Sequence, residues 1–211
     1  MTISFHPDPT TLMSFAAGTL GEALSAVVAA HADVCPACAR DIRRLDVVGA
    51  VLMERLAPQP LAAGEPDPAR PSASSTRRRS GEAAGGGTLI ERILAGPIEA
   101  RSWKPIAPGV RTSRIALSDG AKGDLRLLRA AAGTTIPEHG HGGAELTLVL
   151  HGAFRDATGH YRPGDVADLD ANVEHTPLVD ADGECICLIA SEAPARFKGL
   201  VSRLLAPIVG V

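Results

Sequence analysis

The apolar positions change their spacing along the chain, from a helical period over residues 9 to 57 to a period of two beyond Trp103. The later region consists of short alternating runs, such as residues 114–117 and 125–128, that Gly, Pro and Asp turns separate. Many short strands at such spacing predict a sandwich or a barrel. The pattern therefore predicts a multidomain protein in which a small helical domain precedes an all-β domain.

Three helices are predicted in the first region. A short first helix precedes Thr19-Leu20-Gly21-Glu22, which has the S/T-x-x-E form of a capping box, so we expect the second helix to begin there. Pro36 suits the first position of a third helix, and Ala57-Pro58 ends it. One face of the second helix carries four residues at positions i, i+3, i+4 and i+7: Leu24, Val27, Val28 and His31.

The composition changes between Pro58 and Gly87 to Pro, Ala, Gly, Ser and Arg without any periodic apolar pattern, which predicts a flexible linker. Within it, the run Arg77-Arg78-Arg79 is more typical of a solvated segment than of a nucleic-acid patch. Thr88 to Leu94 is a single short helical segment that leads into the second domain. The predicted division is residues 1–57, 58–87 and 88–211.

Composition and charge narrow the classes of function that this chain can have. Only 3% of the 211 residues are aromatic and 45% are hydrophobic, so we expect cores of Leu, Val, Ile and Ala. The formal net charge of -3 offers no basic field to a nucleic acid, which argues against direct DNA binding. Met1 to Thr11 lacks the regions of a signal peptide, and no stretch reaches the roughly 20 apolar residues of a membrane span. We therefore expect a soluble cytoplasmic protein.

The N-terminal region contains a set of metal-ligating residue types. His31-x3-Cys35-x2-Cys38 puts one imidazole and two thiols at the predicted junction of the second and third helices, a spacing suited to tetrahedral zinc. His6 can supply the fourth ligand if the segment before the first helix folds back across this junction. In a reducing compartment, metal binding is favoured over a disulfide. The residues predict a His2Cys2 zinc site that stabilises a domain of some fifty residues.

Two alternatives stay open for these residues. His31 can be a core histidine, with Cys35 and Cys38 acting as small apolar residues. Cys35-Pro36-Ala37-Cys38 at a helix start is also similar to a thioredoxin-type redox motif, although the βαβ context of that motif is missing. Zinc binding and redox sensing are compatible, because oxidation of a thiolate ligand would release the metal.

A second constellation lies in the β-rich region. Gly133-x5-His139-x-His141-x3-Glu145-x6-Gly152 matches the first cupin motif at every spacing, and His175 follows about thirty residues later. The match implies a cupin barrel in which four residues bind a divalent metal: His139, His141, Glu145 and His175. Imidazole and carboxylate ligands suit Zn, Fe, Ni or Mn, and zinc is the first expectation.

The second cupin motif departs from its usual form. Asp170-Ala171-Asn172 stands where Pro-x-Gly is expected, and Asn can replace Gly in a left-handed turn. Val179 stands four positions after His175, where an Asn is usual, which weakens the case for enzymatic cupin chemistry. Cys185 and Cys187 share one face of a late strand, and we expect buried core thiols rather than a reactive pair. If that face is the barrel interior, they lie near the metal as oxidisable groups.

Taken together, the two ligand sets resemble those of the ChrR-type zinc anti-sigma factors. Several further stretches are similar to that family: residues 12–20, 145–150, 152–156, 174–177 and 185–188. The resemblance implies a zinc-bound helical domain that sequesters an extracytoplasmic-function sigma factor, and a cupin (jelly-roll) domain that senses singlet-oxygen-type stress and triggers release. It implies no enzymatic activity. Four apolar residues of the third helix are candidates for the sigma-binding surface: Leu45, Val48, Leu52 and Leu56.

One feature departs from the family. A fourth helix usually follows the first three, whereas residues 58–87 of this chain are not expected to be helical. Either the segment Thr88 to Leu94 takes its role, or the grip on the partner is weaker than in relatives. The alternative function is a cupin metalloenzyme, a dioxygenase or isomerase, with a zinc-binding accessory domain, because three histidines can leave an open coordination position. Against it, the sequence offers no acid or base inside the barrel beyond the ligands themselves.

Overall fold

The computed structural model describes residues 2–58 and 100–197. The first range contains α1 (Pro9–Ala16), α2 (Glu22–Val34) and α3 (Pro36–Glu54). The strands of the second range, in chain order, are β1 (Lys104–Ala107), β2 (Val110–Arg114), β3 (Asp124–Ala130), β4 (His139–Gly140), β5 (Glu145–His151), β6 (Phe154–Arg155), β7 (His160–Tyr161), β8 (Val166–Leu169), β9 (Glu174–His175), β10 (Leu178–Val179), β11 (Cys185–Ser191) and β12 (Arg196–Phe197). Nearly all of the predicted linker and the predicted helix at residues 88–94 lie outside the described residues.

The helix starts follow local sequence signals in two of three cases. Pro9 and Pro36 occupy the first turns of α1 and α3, and the Asp8 carboxylate caps α1 by accepting the amide of Thr10 at 2.8 Å. The predicted capping box of α2 does not form. Gly21 is the N-cap residue instead, and the Glu22 carboxylate accepts the amide of Ser118 in the β domain at 2.9 Å. A tertiary contact thus takes the carboxylate that a capping box would use.

The strands form one large and two small antiparallel sheets. The large sheet has the order β1-β2-β3-β11-β5-β8, and the small sheets have the orders β10-β6-β7 and β12-β4-β9. One face of the large sheet packs against the β10-β6-β7 sheet around a buried core that includes Val149, Phe154, Tyr161 and Val179. This arrangement confirms the predicted all-β domain of cupin type after three helices.

Both faces of the large sheet are buried, because the helical domain covers its outer face. In β5 the side chains of Leu146 and Leu148 join the core under the helices, whereas Val149 belongs to the barrel interior. The outer core combines residues of α2, such as Leu24 and Val27, with residues of β3, β5 and β11. The two domains therefore share one apolar core, a contact that the sequence pattern did not predict. None of the described helices combines the length and apolar character of a membrane span.

The shared core generates a prediction about stability. Leu24 is 2% exposed between α2 and the sheet, whereas Val48 is 55% exposed on α3. Because Leu24→Ala leaves a cavity at the domain contact, it should lower the free energy of unfolding by about 2–5 kcal/mol. The matched truncation Val48→Ala should change it by less than about 0.5 kcal/mol. Denaturant unfolding at constant metal concentration measures both values, and equal effects would contradict the shared core.

Candidate metal centres

The first cluster joins the N-terminal segment to the junction of α2 and α3. His6 Nδ1 lies 3.4 Å from His31 Nε2 and 3.4 Å from the Sγ atoms of both Cys35 and Cys38. His31 Nε2 lies 3.3 Å from the Sγ of Cys38. A tetrahedral zinc site with bonds of about 2.0–2.3 Å has ligand-to-ligand edges of about 3.3–3.8 Å. The four side chains are therefore spaced as the ligands of one tetrahedral ion.

The helix junction explains how three of these residues meet. Cys35 ends α2, where its amide donates to the His31 carbonyl at 2.8 Å, and it is also the N-cap of α3 in an extended conformation. Pro36 then starts α3 and brings Cys38 into its first turn. His31 lies in the last turn of α2. The predicted folding back of His6 across the junction is observed.

The protonation states of this cluster favour a cation. The Nδ1 of His31 bonds the carbonyl of Gly164 at 2.9 Å; since a carbonyl only accepts, Nδ1 carries the proton and Nε2 presents a lone pair to the thiols. Burial lowers the pKa of His31, so the ring is neutral. Burial and then the neighbouring Cys35 raise the pKa of Cys38 to about 12. A thiolate at this position therefore needs a metal ion to stabilise its charge.

The second cluster lies inside the barrel. It consists of one residue from β4, one from the loop that follows, the first residue of β5 and one from β9: His139, His141, Glu145 and His175. His139 and His175 are paired across β4 and β9, and all four side chains are buried. One ligand atom from each lies within 4.8 Å of those of the other three. The structure thus brings together the four residues that the sequence predicted as ligands.

The orientation of two histidines leaves no donor between them. His139 Nδ1 bonds the Pro137 carbonyl at 2.9 Å, and His175 Nδ1 bonds the Asp156 carboxylate at 2.7 Å. In neutral rings both acceptors fix the proton on Nδ1, and the two Nε2 lone pairs then face each other at 3.1 Å. Burial lowers the pKa of His139, which keeps its ring neutral. Two lone pairs at this separation repel each other unless a cation lies between them.

His141 and Glu145 complete the donor set. Neither ring nitrogen of His141 has a hydrogen-bond partner among the described residues, and its Nδ1 is 3.5 Å from Oε2 of Glu145. Burial alone would raise the pKa of Glu145, but the three histidines, with His141 foremost, outweigh burial and lower it. The cluster therefore combines an unsatisfied buried imidazole with an ionised carboxylate, and these residues fit a divalent metal.

A carboxylate that sequence reasoning missed supports this cluster. Asp156 follows β6, and its side chain is fully buried while bonded to His175. Burial opposes ionisation, yet hydrogen bonds from His175 and then Thr158 lower the pKa of Asp156 to about 2. The contact spans 19 residues of sequence, so no local spacing could have indicated it. Asp156 acts as a positioning residue that fixes the ring of His175.

The departures of the second cupin motif have structural explanations. The Asp170 carboxylate accepts the amide of Asn172 at 2.8 Å, which forms an Asx turn in place of the Gly turn. The left-handed conformation that we considered for Asn172 is not used, since no non-glycine residue in residues 2–58 and 100–197 has a positive φ. Val179 belongs to the buried core of the barrel.

Cys185 and Cys187 share one face of β11, as predicted, and that face is the barrel interior. Both are free, buried thiols whose Sγ atoms are 3.6 Å apart. Hydrogen bonding to Cys185 and then burial raise the pKa of Cys187 well above that of an ordinary thiol, and Glu145 contributes in the same direction. Cys187 is therefore held as a thiol close to the cupin cluster, and the burial of both cysteines agrees with the prediction of buried core thiols.

Comparison with known proteins agrees with this architecture. The family model of the ChrR cupin-like domain matches residues 93–194. The anti-sigma-E factor ChrR of Cereibacter sphaeroides is 38% identical, with 98% of each chain covered. The crystal structure of Rhodobacter sphaeroides SigE in complex with the anti-sigma ChrR superposes with a TM-score of 0.73 at 37% identity, covering 90% of this chain and 99% of that chain. The chain belongs to the ChrR family of anti-sigma factors.

Proposed function

We propose that this protein is a cytoplasmic anti-sigma factor that sequesters an extracytoplasmic-function sigma factor through its helical domain. The observation that carries the proposal is the second half of α3 with the four residues that follow it, where every residue from Asp46 to Pro58 is exposed. We call residues 46–58 the α3 tip. The ChrR relative, whose whole chain this protein matches, is an anti-sigma factor and was crystallised with SigE. The metalloenzyme alternative loses its support, because this relative is an anti-sigma factor.

The α3 tip exposes more apolar surface than an isolated domain keeps in water. Six large apolar residues are between 42% and 68% exposed: Val47, Val48, Val51, Leu52, Met53 and Leu56. Leu45, which we predicted for this surface, instead packs partly against the shared core. Within α3 the spacings of Val47, Val48, Val51 and Leu52 align them along one side of the helix, as in helices that insert into a partner groove.

Zinc bound at the N-terminal cluster would hold α2 and α3 at a fixed angle, so that the α3 tip presents its apolar side in one direction. Cys35 and Cys38 lie at the N-terminal end of α3, and His31 belongs to α2, so one ion bound by them fixes the angle between the two helices. α3 then projects its exposed half in one direction. Structural zinc sites contribute about 10–16 kcal/mol of apparent binding free energy, which is enough to determine the fold of a small domain.

The cupin domain is the sensing half in this proposal. A divalent metal bound by His139, His141, Glu145 and His175 would supply a Lewis-acidic centre, with zinc the first expectation and Fe, Ni or Mn the other candidates. Cys185 and Cys187 place oxidisable sulfur in the same interior, which suits a sensor of singlet-oxygen-type stress. Their burial means that an oxidant must enter the barrel before it reaches them.

Sigma binding is tested by introducing a charge into the α3 tip. Leu52→Asp puts a carboxylate at the centre of the apolar side, and we expect the affinity for the cognate sigma factor to fall at least about 100-fold, because a buried unpaired charge costs several kcal/mol. Isothermal titration calorimetry with the purified sigma factor measures the change. Ala132→Asp introduces the same charge in an exposed turn of the cupin domain and should bind normally. Normal binding by both variants would contradict the proposed surface.

The N-terminal ion is tested with Cys38→Ser. Elemental analysis of the intact protein should give about two metal ions per chain, and the variant should lose one, because serine is a poor zinc ligand. Loss of that ion should also reduce sigma binding, since the direction of α3 is no longer fixed. Cys185→Ser removes a thiol outside the cluster and should retain both ions. Retention of two ions by Cys38→Ser would exclude the His2Cys2 site.

The role of Asp156 gives a prediction for the cupin ion. Asp156→Asn removes the negative charge that faces the Nδ1 proton of His175, so the affinity of the barrel for its metal should fall about 10–100-fold. Competition with a chelator of known affinity measures this change. The exposed Asp182→Asn is the matched control and should behave as the unmodified protein. An unchanged affinity in Asp156→Asn would mean that His175 needs no support from this carboxylate.

A further inference from the structure

The N-terminal segment that carries His6 lies on the cupin domain rather than on the helices. We call residues 3–8 the histidine arm. Ser4 and Phe5 donate their amides to one carboxylate oxygen of Asp165, at 2.7 and 3.0 Å, and the Phe5 carbonyl accepts the amide of Val166 at 3.1 Å. The main chain immediately before His6 is therefore bonded to the cupin domain through two amides and one carbonyl.

The other end of the histidine arm is bonded to the same strand. The amide of Asp8 donates to Oδ2 of Asp168 at 2.8 Å, and the hydroxyl of Thr11 donates to the same oxygen at 2.8 Å. Asp165 immediately precedes β8, and Asp168, three residues later, lies within that strand. His6 thus lies between two groups of hydrogen bonds to the cupin domain, one before it and one after it in the sequence.

The cupin domain also orients the second imidazole of the N-terminal cluster. The carbonyl of Gly164 accepts the Nδ1 proton of His31 at 2.9 Å. Asp165 forms the turn that presents this carbonyl, because its Oδ2 accepts the amide of Arg162 at 2.9 Å. Gly164 has a φ of +93°, and an added Cβ would lie 2.9 Å from the side chain of Ile3, so the turn requires glycine. One buried carboxylate therefore supports both histidines.

Phe5 adds an apolar contact to these polar ones. Its ring centroid lies 4.5 Å from that of Tyr161, and a Cβ added to Gly159 would lie 2.6 Å from the ring. The ring packs against the barrel core as an anchor next to His6. The cysteines, in contrast, belong to the junction of α2 and α3.

We propose that the N-terminal metal site is shared between the two domains, with the helices supplying its thiolates and the cupin segment at residues 162–168 positioning both of its histidines. The packing of the cupin domain then determines how long the N-terminal site retains its ion, and Asp165 is the positioning residue. The inference rests on the N-terminal metal site of the proposed function but not on sigma binding.

The test compares metal release from the full-length protein and its Asp165→Asn variant. Asparagine keeps the shape of the side chain but replaces one accepting oxygen by an NH2 group, so it cannot accept both the arm amides and the Arg162 amide. Loading with Co2+ distinguishes the two sites, because only thiolate ligands give a sulfur-to-cobalt charge-transfer band. We expect the thiolate-bound ion to pass to excess chelator at least about tenfold faster in the variant, while the cupin ion is retained.

The control variant is Glu184→Gln. Glu184 is a half-buried carboxylate of the cupin domain that pairs with Arg129 at 2.7 Å and lies apart from the histidine arm. Its replacement should leave the release rate unchanged. Equal rates in the unmodified protein and a folded Asp165→Asn variant would overturn the proposal, and so would equal acceleration by Asp165→Asn and Glu184→Gln.

A second variant covers the case in which Asp165→Asn does not fold. Asp168→Ala removes only the acceptor for Asp8 and Thr11 at a half-buried position, and we expect it to accelerate release from the thiolate site as well. An unchanged rate in this variant overturns the proposal. Absence of the charge-transfer band in the unmodified protein would mean that the N-terminal cluster binds no ion, so that the metal site of the proposed function fails and the inference fails with it. An unchanged release rate with the band present contradicts the inference alone.

Discussion

The hydrogen bond between His31 Nδ1 and the Gly164 carbonyl is the interaction on which the organisation of the molecule depends. It fixes the tautomer of His31, so that Nε2 faces the thiols of Cys35 and Cys38. It also joins α2 to the turn before β8, at the edge of the shared apolar core. A single imidazole thereby links the helix junction, its candidate metal site and the barrel.

The two candidate metal sites are joined by short structural connections. The turn that carries Gly164 is bonded to β5, since Val149 donates to the Asp165 carbonyl and accepts from the Gly164 amide. Glu145, a candidate ligand of the cupin cluster, lies four residues earlier on the same strand, about 13 Å at the usual rise. A second connection runs from Asp156 through the turn at Gly159 to the ring of Phe5. The two clusters are therefore linked through the hydrogen-bonded strand and turns of the cupin domain.

The sequence predicted which residues cluster better than it predicted the surroundings of the two clusters. Spacing alone brought His31, Cys35 and Cys38 to one helix junction, because a proline at the start of a helix and a 3.6-residue period are local properties. The capping box of α2 failed because Glu22 bonds Ser118, a residue 96 positions away. Asp156 and Asp165 were missed for the same reason. Long-range hydrogen bonds of this kind leave no periodic pattern in the sequence, so the contact between the domains could be found only in the structure.

Magnitudes limit what this contact can do for sigma release. Moving a complex from almost wholly bound to almost wholly free takes about 5.5 kcal/mol. Misorientation of histidine ligands changes metal affinity by about 10–100-fold, or about 1.4–2.7 kcal/mol, which is not enough by itself. Complete loss of the ion removes about 10–16 kcal/mol from the fold of the helix junction, which exceeds the requirement. In the proposed function, the domain contact would therefore act on release only through how readily an ion bound at the N-terminal cluster leaves, because loss of that ion would free the α3 tip from its fixed direction.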